Sequence, residues 1–300
     1  MKRRSFLGLT GLAAAIGLPA VAKGCRNRGS ALSTNTGVND PVFVAPDNEL
    51  VQDARKISAR TNGLLPEYTL DNFVIGKANE LAVSAGLQVA DYPGTSPNPL
   101  VLYGNVGLGK THLVHAIGNS LATRHPSANV RYRHAGQFMF DVLSSYDQDS
   151  IDEYMHGYRS LDLLLIDDIQ FFQGKNRSQQ EFYYVLNALV EAHKQVIVTS
   201  DINPRHLRGI RDGFYSHFNR GLILHIKPSG YSLRVALLRN KAESMGVRPD
   251  EGALSLIATH IRSNTRELEG ALKSVIWHSR VHGRDISIRG AQDALAPLLS

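Results

Sequence analysis

The sequence predicts an α/β protein built on a parallel sheet with flanking helices and followed by a small all-helical subdomain. Three observations predict it. Short, continuous apolar runs alternate with helical periodicity between residues 67 and 228, as expected of strands buried on both faces and joined by crossover helices. A glycine-rich loop lies between one such run and the helix after it. After Pro228 the strand signals stop and only helical periodicity remains.

Taken in order, residues 1–25 read as a targeting segment. Lys2, Arg3 and Arg4 precede an uncharged stretch from Ser5 to Ala22, rich in Ala, Gly and Leu, which closes on Ala20-Val21-Ala22, a small-residue cleavage pattern. The run Arg3-Arg4-Ser5-Phe6-Leu7 resembles a twin-arginine export signal. The alternative is a membrane anchor, although the stretch is mildly apolar and short for a span. Cys25 is the sole cysteine, which excludes an internal disulfide. Lys23 and Ala22 depart from the pattern that would make Cys25 a lipid attachment point. Residues 26–66 lack sustained periodicity and read as a linker with one short helix at 50–58.

The sheet begins beyond that linker. Residues 100–103 are a short apolar strand, followed by the loop and a helix with Leu113, Ile117 and Leu121 on one face. Residues 130–133 and 163–166 are further strands. Ser178 and Glu181 have the spacing of a capping box opening a helix with Phe182, Val185, Leu186 and Leu189 inward. Strands at 195–200 and 222–226 complete the base. The subdomain at 229–300 holds helices at 232–245, 250–261, 265–281 and 289–299, the third capped by Asn264 and Glu267.

Charge narrows the functional classes. The formal net charge is +6, yet Lys2, Arg3, Arg4, Lys23, Arg26 and Arg28 fall in the first thirty residues, where there is no acid. Setting those six aside leaves 27 basic against 27 acidic residues. Bulk charge therefore does not hold a nucleic acid, and any such contact comes from a local patch.

The chemistry concentrates in two places. Gly104-Asn105-Val106-Gly107-Leu108-Gly109-Lys110-Thr111 fits the phosphate-binding (Walker A) loop. Glycines let backbone N–H groups wrap phosphates, and the following helix N-terminus adds a favourable dipole. Lys110 neutralises the β and γ phosphates of ATP or ADP, and the Thr111 hydroxyl ligates Mg2+. The second place is Leu163-Leu164-Leu165-Ile166-Asp167-Asp168. A carboxylate leaving a buried strand is poorly explained by packing, because unpaired buried charge is costly. Asp167 is placed to hold magnesium, and Asp168 to orient an attacking water. A helix-capping role is the other reading of Asp168.

These residues, with others, carry a family resemblance. From residue 67 to 300 the chain closely resembles the AAA+ domain of the bacterial replication initiator DnaA. The resemblance rests on Asp71-Asn72-Phe73, Gly107-Leu108-Gly109-Lys110-Thr111-His112, Ile166-Asp167-Asp168-Ile169-Gln170-Phe171 and Arg266-Glu267-Leu268-Glu269-Gly270. Ser178, Glu181, Phe182 and Asn187-Ala188-Leu189 match as well. The resemblance implies a P-loop AAA+ base followed by a helical lid, with His112 beside the nucleotide. It implies that Asp201 is a first sensor, after the strand ending Thr199-Ser200, and that Arg266 is a second sensor on the lid. A cation at a helix N-terminus is unfavourable without an anionic partner, which agrees with that role. Paired helices over 136–160 match the initiator-specific insertion. Leu143, Lys175 and Arg177 match positions that contact single-stranded DNA; without the resemblance they read as core and solvated surface.

The sequence also departs from the family. Within Asp212-Gly213-Phe214-Tyr215-Ser216-His217-Phe218 the family carries two arginines, where this chain has Gly213 and His217. The second is the position of the arginine finger that reaches ATP on a neighbouring subunit, while Arg211 and Arg220 lie outside the motif. The family's N-terminal domain and C-terminal helix-turn-helix domain are not matched, so no specific duplex-DNA binding is expected.

The implied function is an ATP-binding switch in DNA replication initiation or its regulation, with weak ATPase activity at most. Its expected partners are other AAA+ initiator subunits or itself, single-stranded DNA, and a membrane through residues 1–25. The alternatives are a low-turnover regulatory module similar to the DnaA-related regulator Hda, or a non-functional exported fragment. The ATP site favours the cytoplasm; the first residues favour twin-arginine export or retention at the inner membrane.

Overall fold

The computed structural model describes residues 61–95 and 97–299. The targeting segment, Cys25, the helix expected at 50–58 and most of the linker lie outside the described residues. Among the described residues six strands form one parallel sheet: β1 (Thr61–Asn62), β2 (Leu100–Tyr103), β3 (Val130–His134), β4 (Leu163–Asp167), β5 (Gln195–Ser200) and β6 (Leu222–His225), in the order β1-β3-β4-β5-β2-β6. β1 falls inside the stretch read as linker. Its two residues are too short to show any periodicity.

β4 and β5 are buried along their whole length. Their side chains alternate between two cores, as the pleat requires. Leu163, Leu165 and Ile197 join the first core, against α1 (Glu80–Asp91) and α2 (Lys110–Arg124). Leu164, Ile166, Val196 and Val198 join the second. There they meet α3 (Ala135–Asp147), α4 (Ile151–Arg159), α5 (Asn176–Glu191) and α6 (Asp212–Arg220). Leu113, Ile117 and Leu121 are fully buried, as are Phe182, Leu186 and Leu189. α3 and α4 stand where the paired helices were expected. Four further helices enclose a third core: α7 (Tyr231–Ser244), α8 (Glu251–His260), α9 (Thr265–Val281) and α10 (Ile288–Leu299).

One capping expectation holds and one fails. Asn264 Oδ1 accepts from the Glu267 amide and its Nδ2 donates to Glu267 Oε1, both at 2.9 Å, which caps α9. Ser178 and Glu181 form no cap. α5 begins earlier, at Asn176, and its N-cap Lys175 makes no side-chain bond. Fully buried Gln179 sets the rotation of that helix, donating to the Phe172 and Gly209 carbonyls, each at 2.7 Å. This turns Ser178 inward, and Glu181 instead accepts from the Tyr146 hydroxyl.

Parallel strands end on one edge of the sheet, where α/β proteins place their ligands. Tyr103 pairs with Ser200, so Gly104 and Asp201 leave the sheet side by side. Asp167 ends β4 next to β5.

Histidine burial makes this fold sensitive to acid. His115 is 1% exposed, packs at a tilt against Tyr132 at 4.0 Å and accepts from the Leu65 amide. Burial lowers the pKa of His112, His115 and His217 below the usual 6.5. The folded state therefore favours the neutral rings. That stabilisation is complete above the unfolded value and is lost as pH falls through the lower folded values. The melting temperature is expected to drop steadily as pH goes from about 7.5 to about 5.5. A flat profile by calorimetry would refute the assignment.

Candidate functional site

The loop after β2 is shaped by glycines at positive φ. Gly107 has φ 76° and Gly109 φ 89°, conformations open to glycine and strained for other residues. A Cβ on Gly107 would also lie 2.9 Å from Asn264 Oδ1. Gly109 is the N-cap of α2, so the loop feeds directly into a helix N-terminus. Gly104 plays a different part. Its N–H is committed to the Ser200 carbonyl at 3.1 Å, and its own carbonyl accepts from Lys110.

Lys110 is 5% exposed. Its ammonium donates to Gly104 O at 2.7 Å, Asn105 O at 3.1 Å and Asp201 Oδ1 at 2.7 Å. Gln170 supports the same carboxylate, donating to Asp201 Oδ2 at 2.7 Å and accepting from the Asp201 amide at 3.2 Å. Lys110 and Asp201 thus form an ion pair in the lining of one cleft.

Asp167 is 1% exposed yet satisfied by three hydroxyls. Thr111 donates to Oδ2 at 2.7 Å, Tyr132 donates to Oδ2 at 3.0 Å, and Thr199 donates to Oδ1. Buried carboxylates need such partners. Asp168 follows with φ 62°, a rare conformation for a non-glycine residue and one found enriched at functional sites. Its amide donates to Thr199 Oγ1 at 2.9 Å. Its side chain caps no helix; Oδ1 accepts from Gln170 at 3.0 Å. Burial, and then the neighbouring Asp167, raise its pKa above the usual carboxylate value.

The helical subdomain closes the cleft. The Thr265 amide at the start of α9 donates to the Gly107 carbonyl at 2.9 Å. A cavity of about 240 Å3 is lined by Gly107, Gly109, Lys110, Thr111, His112, Asp168, Asp201 and Arg266. Arg266 is exposed there, without an ion-pair partner among the described residues. A second cavity of about 350 Å3 continues from it between Tyr68, Phe73, Val74, Leu108, His112 and Leu237. The first is lined by charged side chains of both signs; the second is mixed polar and apolar. His112 joins them. Its Nε2–H donates to Asn72 Oδ1 at 2.8 Å, and its ring packs on Tyr68 at 4.7 Å.

This geometry can be set beside known proteins. The family model "Bacterial DnaA ATPase domain" matches residues 64–225, more than half of the chain. The chain belongs to the bacterial DnaA ATPase-domain family. It is 45% identical over 304 residues to the chromosomal replication initiator protein DnaA of Dechloromonas aromatica, covering 99% of this chain and 64% of that relative. The chain thus spans somewhat less than two thirds of that DnaA. Domain III of the Thermotoga maritima replication initiation protein DnaA superposes with a TM-score of 0.74 at 34% identity, over 79% of this chain and 99% of that one. A replication initiator DnaA bound to AMPPCP and single-stranded DNA gives 0.67 at 33% identity, over 72% and 66%.

The residues that the DnaA resemblance ties to DNA lie away from the cleft, on one surface. Leu143 on α3 is 49% exposed, and Phe140, one turn earlier, 65%. Lys175 and Arg177 are exposed at the start of α5. The Arg177 guanidinium lies 3.7 Å over the Tyr146 ring, which holds the two elements together.

Gly213 and His217, where the resemblance implies arginines, both face Tyr183. A Cβ on Gly213 would meet the Tyr183 ring at 2.9 Å. His217 is 8% exposed and sits edge-on to the same ring at 5.1 Å. Burial, then the charge of Arg220, lower its pKa, so the ring is neutral at physiological pH.

Sequence reasoning missed Thr199, Tyr132, Gln170 and Tyr68 as parts of this site. Gln170 stood inside a quoted motif. The others read as ordinary strand or loop residues, and only the sheet register brings them in.

Proposed function

We propose that this chain is a DnaA-type nucleotide switch that takes ATP or ADP and acts in DNA replication initiation or its regulation. One observation carries the reading: Lys110, Thr111, Asp168, Asp201 and lid residue Arg266 line a single cleft at the strand ends, with buried Asp167 bonded to Thr111 behind it. The relative bound to AMPPCP and single-stranded DNA supports it.

In this reading the N–H groups of Gly107 and Gly109 and the Lys110 ammonium receive the phosphates. Gly104 anchors Lys110 through its carbonyl. Tyr68 and His112 lead to the base and ribose. Arg266 reaches the phosphates from the lid, and Asp201 steers Lys110. Thr111 and Asp167 fit Mg2+. Their oxygens lie 2.7 Å apart, and a hard cation that keeps most of its waters needs only one or two protein oxygens beside phosphates. Thr111 and Asp167 would hold the ion, which would supply neutralisation of the charge developing on the β and γ phosphates. Asp168 orients the attacking water. Turnover stays slow even where copies of this chain meet, because α6 offers a neighbour no cation at Gly213 or His217.

Single-stranded DNA would run over Leu143, Lys175 and Arg177, with partner AAA+ subunits or further copies of this chain extending the surface. Binding to an oligothymidine is expected to be weak and salt-sensitive. Replacing Lys175 and Arg177 together with alanine should weaken it and reduce the salt slope by about 1.4. Fluorescence anisotropy against salt concentration tests this; an unchanged slope removes both residues from the interface. A site for ATP and magnesium favours the cytoplasm. Cell fractionation with mass spectrometry of the mature N-terminus decides between that and export through residues 1–25.

A further inference from the structure

The helical subdomain carries two histidines that the nucleotide cleft does not use. His278 lies in the last turn of α9 and His282 is the C-cap of that helix, so the two are neighbours on one face. Their ring centroids are 4.3 Å apart, with 35° between the planes. The His282 amide donates to the His278 carbonyl at 3.2 Å, and Nδ1–H of the His282 ring donates to the same oxygen at 2.8 Å. A carbonyl only accepts, so the neutral His282 ring holds its proton on Nδ1 and keeps the Nε2 lone pair free. Closing the helix end accounts for Nδ1. It accounts neither for Nε2 nor for the His278 side chain, which has no hydrogen-bond or ion-pair partner among the described residues.

We propose that His278 and His282 form a two-imidazole chelate for a divalent transition metal, Zn2+ foremost. Histidines four residues apart on a helix are spaced to hold one ion together. Nitrogens about 2.0–2.1 Å from a shared ion stand at most about 4.2 Å from each other. Rings with centroids 4.3 Å apart meet that limit with a small rotation of the His278 ring. The bond from Nδ1–H to a backbone carbonyl is the support that fixes tautomer and direction in metal-binding histidines, and His282 has it. No set of three His, Cys, Asp or Glu side chains gathers here among the described residues, so water completes the coordination. Exposed Arg280 and Arg284 lie in the same stretch and disfavour a cation held by charge alone. Affinity therefore comes from nitrogen coordination, which selects Zn2+, Cu2+ and Ni2+ over the oxygen-seeking Mg2+ and Ca2+. Magnesium supplied for a nucleotide does not compete. A bound ion links the C-cap to the last turn of α9, and its binding free energy adds to the stability of that helix end.

Trp277 supplies the readout. It is the single tryptophan of the sequence, adjoins His278 and is 68% exposed. Ni2+, with an open d shell, quenches indole emission at short range, whereas Zn2+, with a filled one, does not. The full chain, without a polyhistidine tag, is titrated with Ni2+ in excess Mg2+. Saturable quenching by one ion per chain is expected, reversed by EDTA and by excess Zn2+. His278→Ala and His282→Ala should each weaken the apparent affinity about ten-fold or more. His278→Ala removes no hydrogen bond of that side chain, so its metal-free melting temperature should match the parent and the loss is then one of coordination. It also covers the case in which His282→Ala, which gives up the bond to the His278 carbonyl, folds poorly. Quenching that does not saturate, or that His278→Ala retains at the parental affinity, means an adventitious ion only and overturns the proposal. Nucleotide and DNA enter none of these measurements, so the outcome is independent of the function proposed above.

Discussion

Lys110→Ala is expected to weaken ATP binding about 100-fold or more, with little change in fold. The ammonium brings charge-assisted bonds to the β and γ phosphates, each worth about 1.5–3 kcal/mol. Two such bonds account for the loss. Lys110 also closes the cleft by spanning Gly104, Asn105 and Asp201. Its removal leaves the Asp201 carboxylate with Gln170 as its side-chain partner and puts an unbalanced negative charge near the phosphates. Repulsion then adds to the lost attraction. Titration with a fluorescent ATP analogue gives the affinity, and the melting temperature checks the fold. Equal binding by mutant and unmodified protein would remove the phosphate-loop assignment and the function built on it. Asp201→Asn separates the two contributions: it keeps the cation and should bind within about ten-fold of the parent.

Strands β2 and β4 were legible in the sequence because parallel, doubly buried strands are continuously apolar, whereas two-residue β1 was not. Residues 163–166 show this directly, and the carboxylates after them stand out because packing gives no reason for them. The phosphate loop was legible because its chemistry is local: each glycine and the lysine act within eight consecutive positions. Contacts made across the sheet were not. Thr199 looks like any β-branched strand residue, yet its hydroxyl bridges the Asp167 carboxylate and the Asp168 amide. Tyr132 reaches Asp167 only because β3 lies beside β4. The failed capping box has a similar cause. Ser178 and Glu181 have the right spacing, but Gln179 bonds the distant Gly209 carbonyl and that tertiary contact fixes the helix start. A local pattern predicts well where no long-range bond competes with it. The departure at Gly213 and His217 was visible as missing arginines, whereas their packing on Tyr183 was not.

That packing sets up the largest gain of activity, expected from His217→Arg. In the proposed reading the nucleotide cleft has its own lysine, aspartates and lid arginine, while α6 offers a neighbouring molecule no cation at 213 or 217. For the unmodified protein, turnover per chain should therefore not rise with protein concentration. An arginine at 217 cannot stay where a ring that is 8% exposed now sits against Tyr183. Its stem can lie over Tyr183 while the guanidinium reaches solvent, as long cationic side chains do. A cation supplied in trans is worth about 10³–10⁵ in related nucleotide hydrolases. At least a ten-fold rise in turnover is expected, about the smallest share of that effect consistent with an imperfectly placed guanidinium, and only at concentrations where chains meet. Restoring the other arginine is a poorer experiment. A side chain at Gly213 starts 2.9 Å from the Tyr183 ring, and such overpacking costs about 1–3 kcal/mol. Tyr183→Ala should relieve that cost, which identifies the clash as its source. Phosphate release measured across a concentration series reads all of these variants. Concentration-dependent turnover already present in the unmodified chain would assign the trans cation to Arg211 or Arg220, both exposed at the ends of α6.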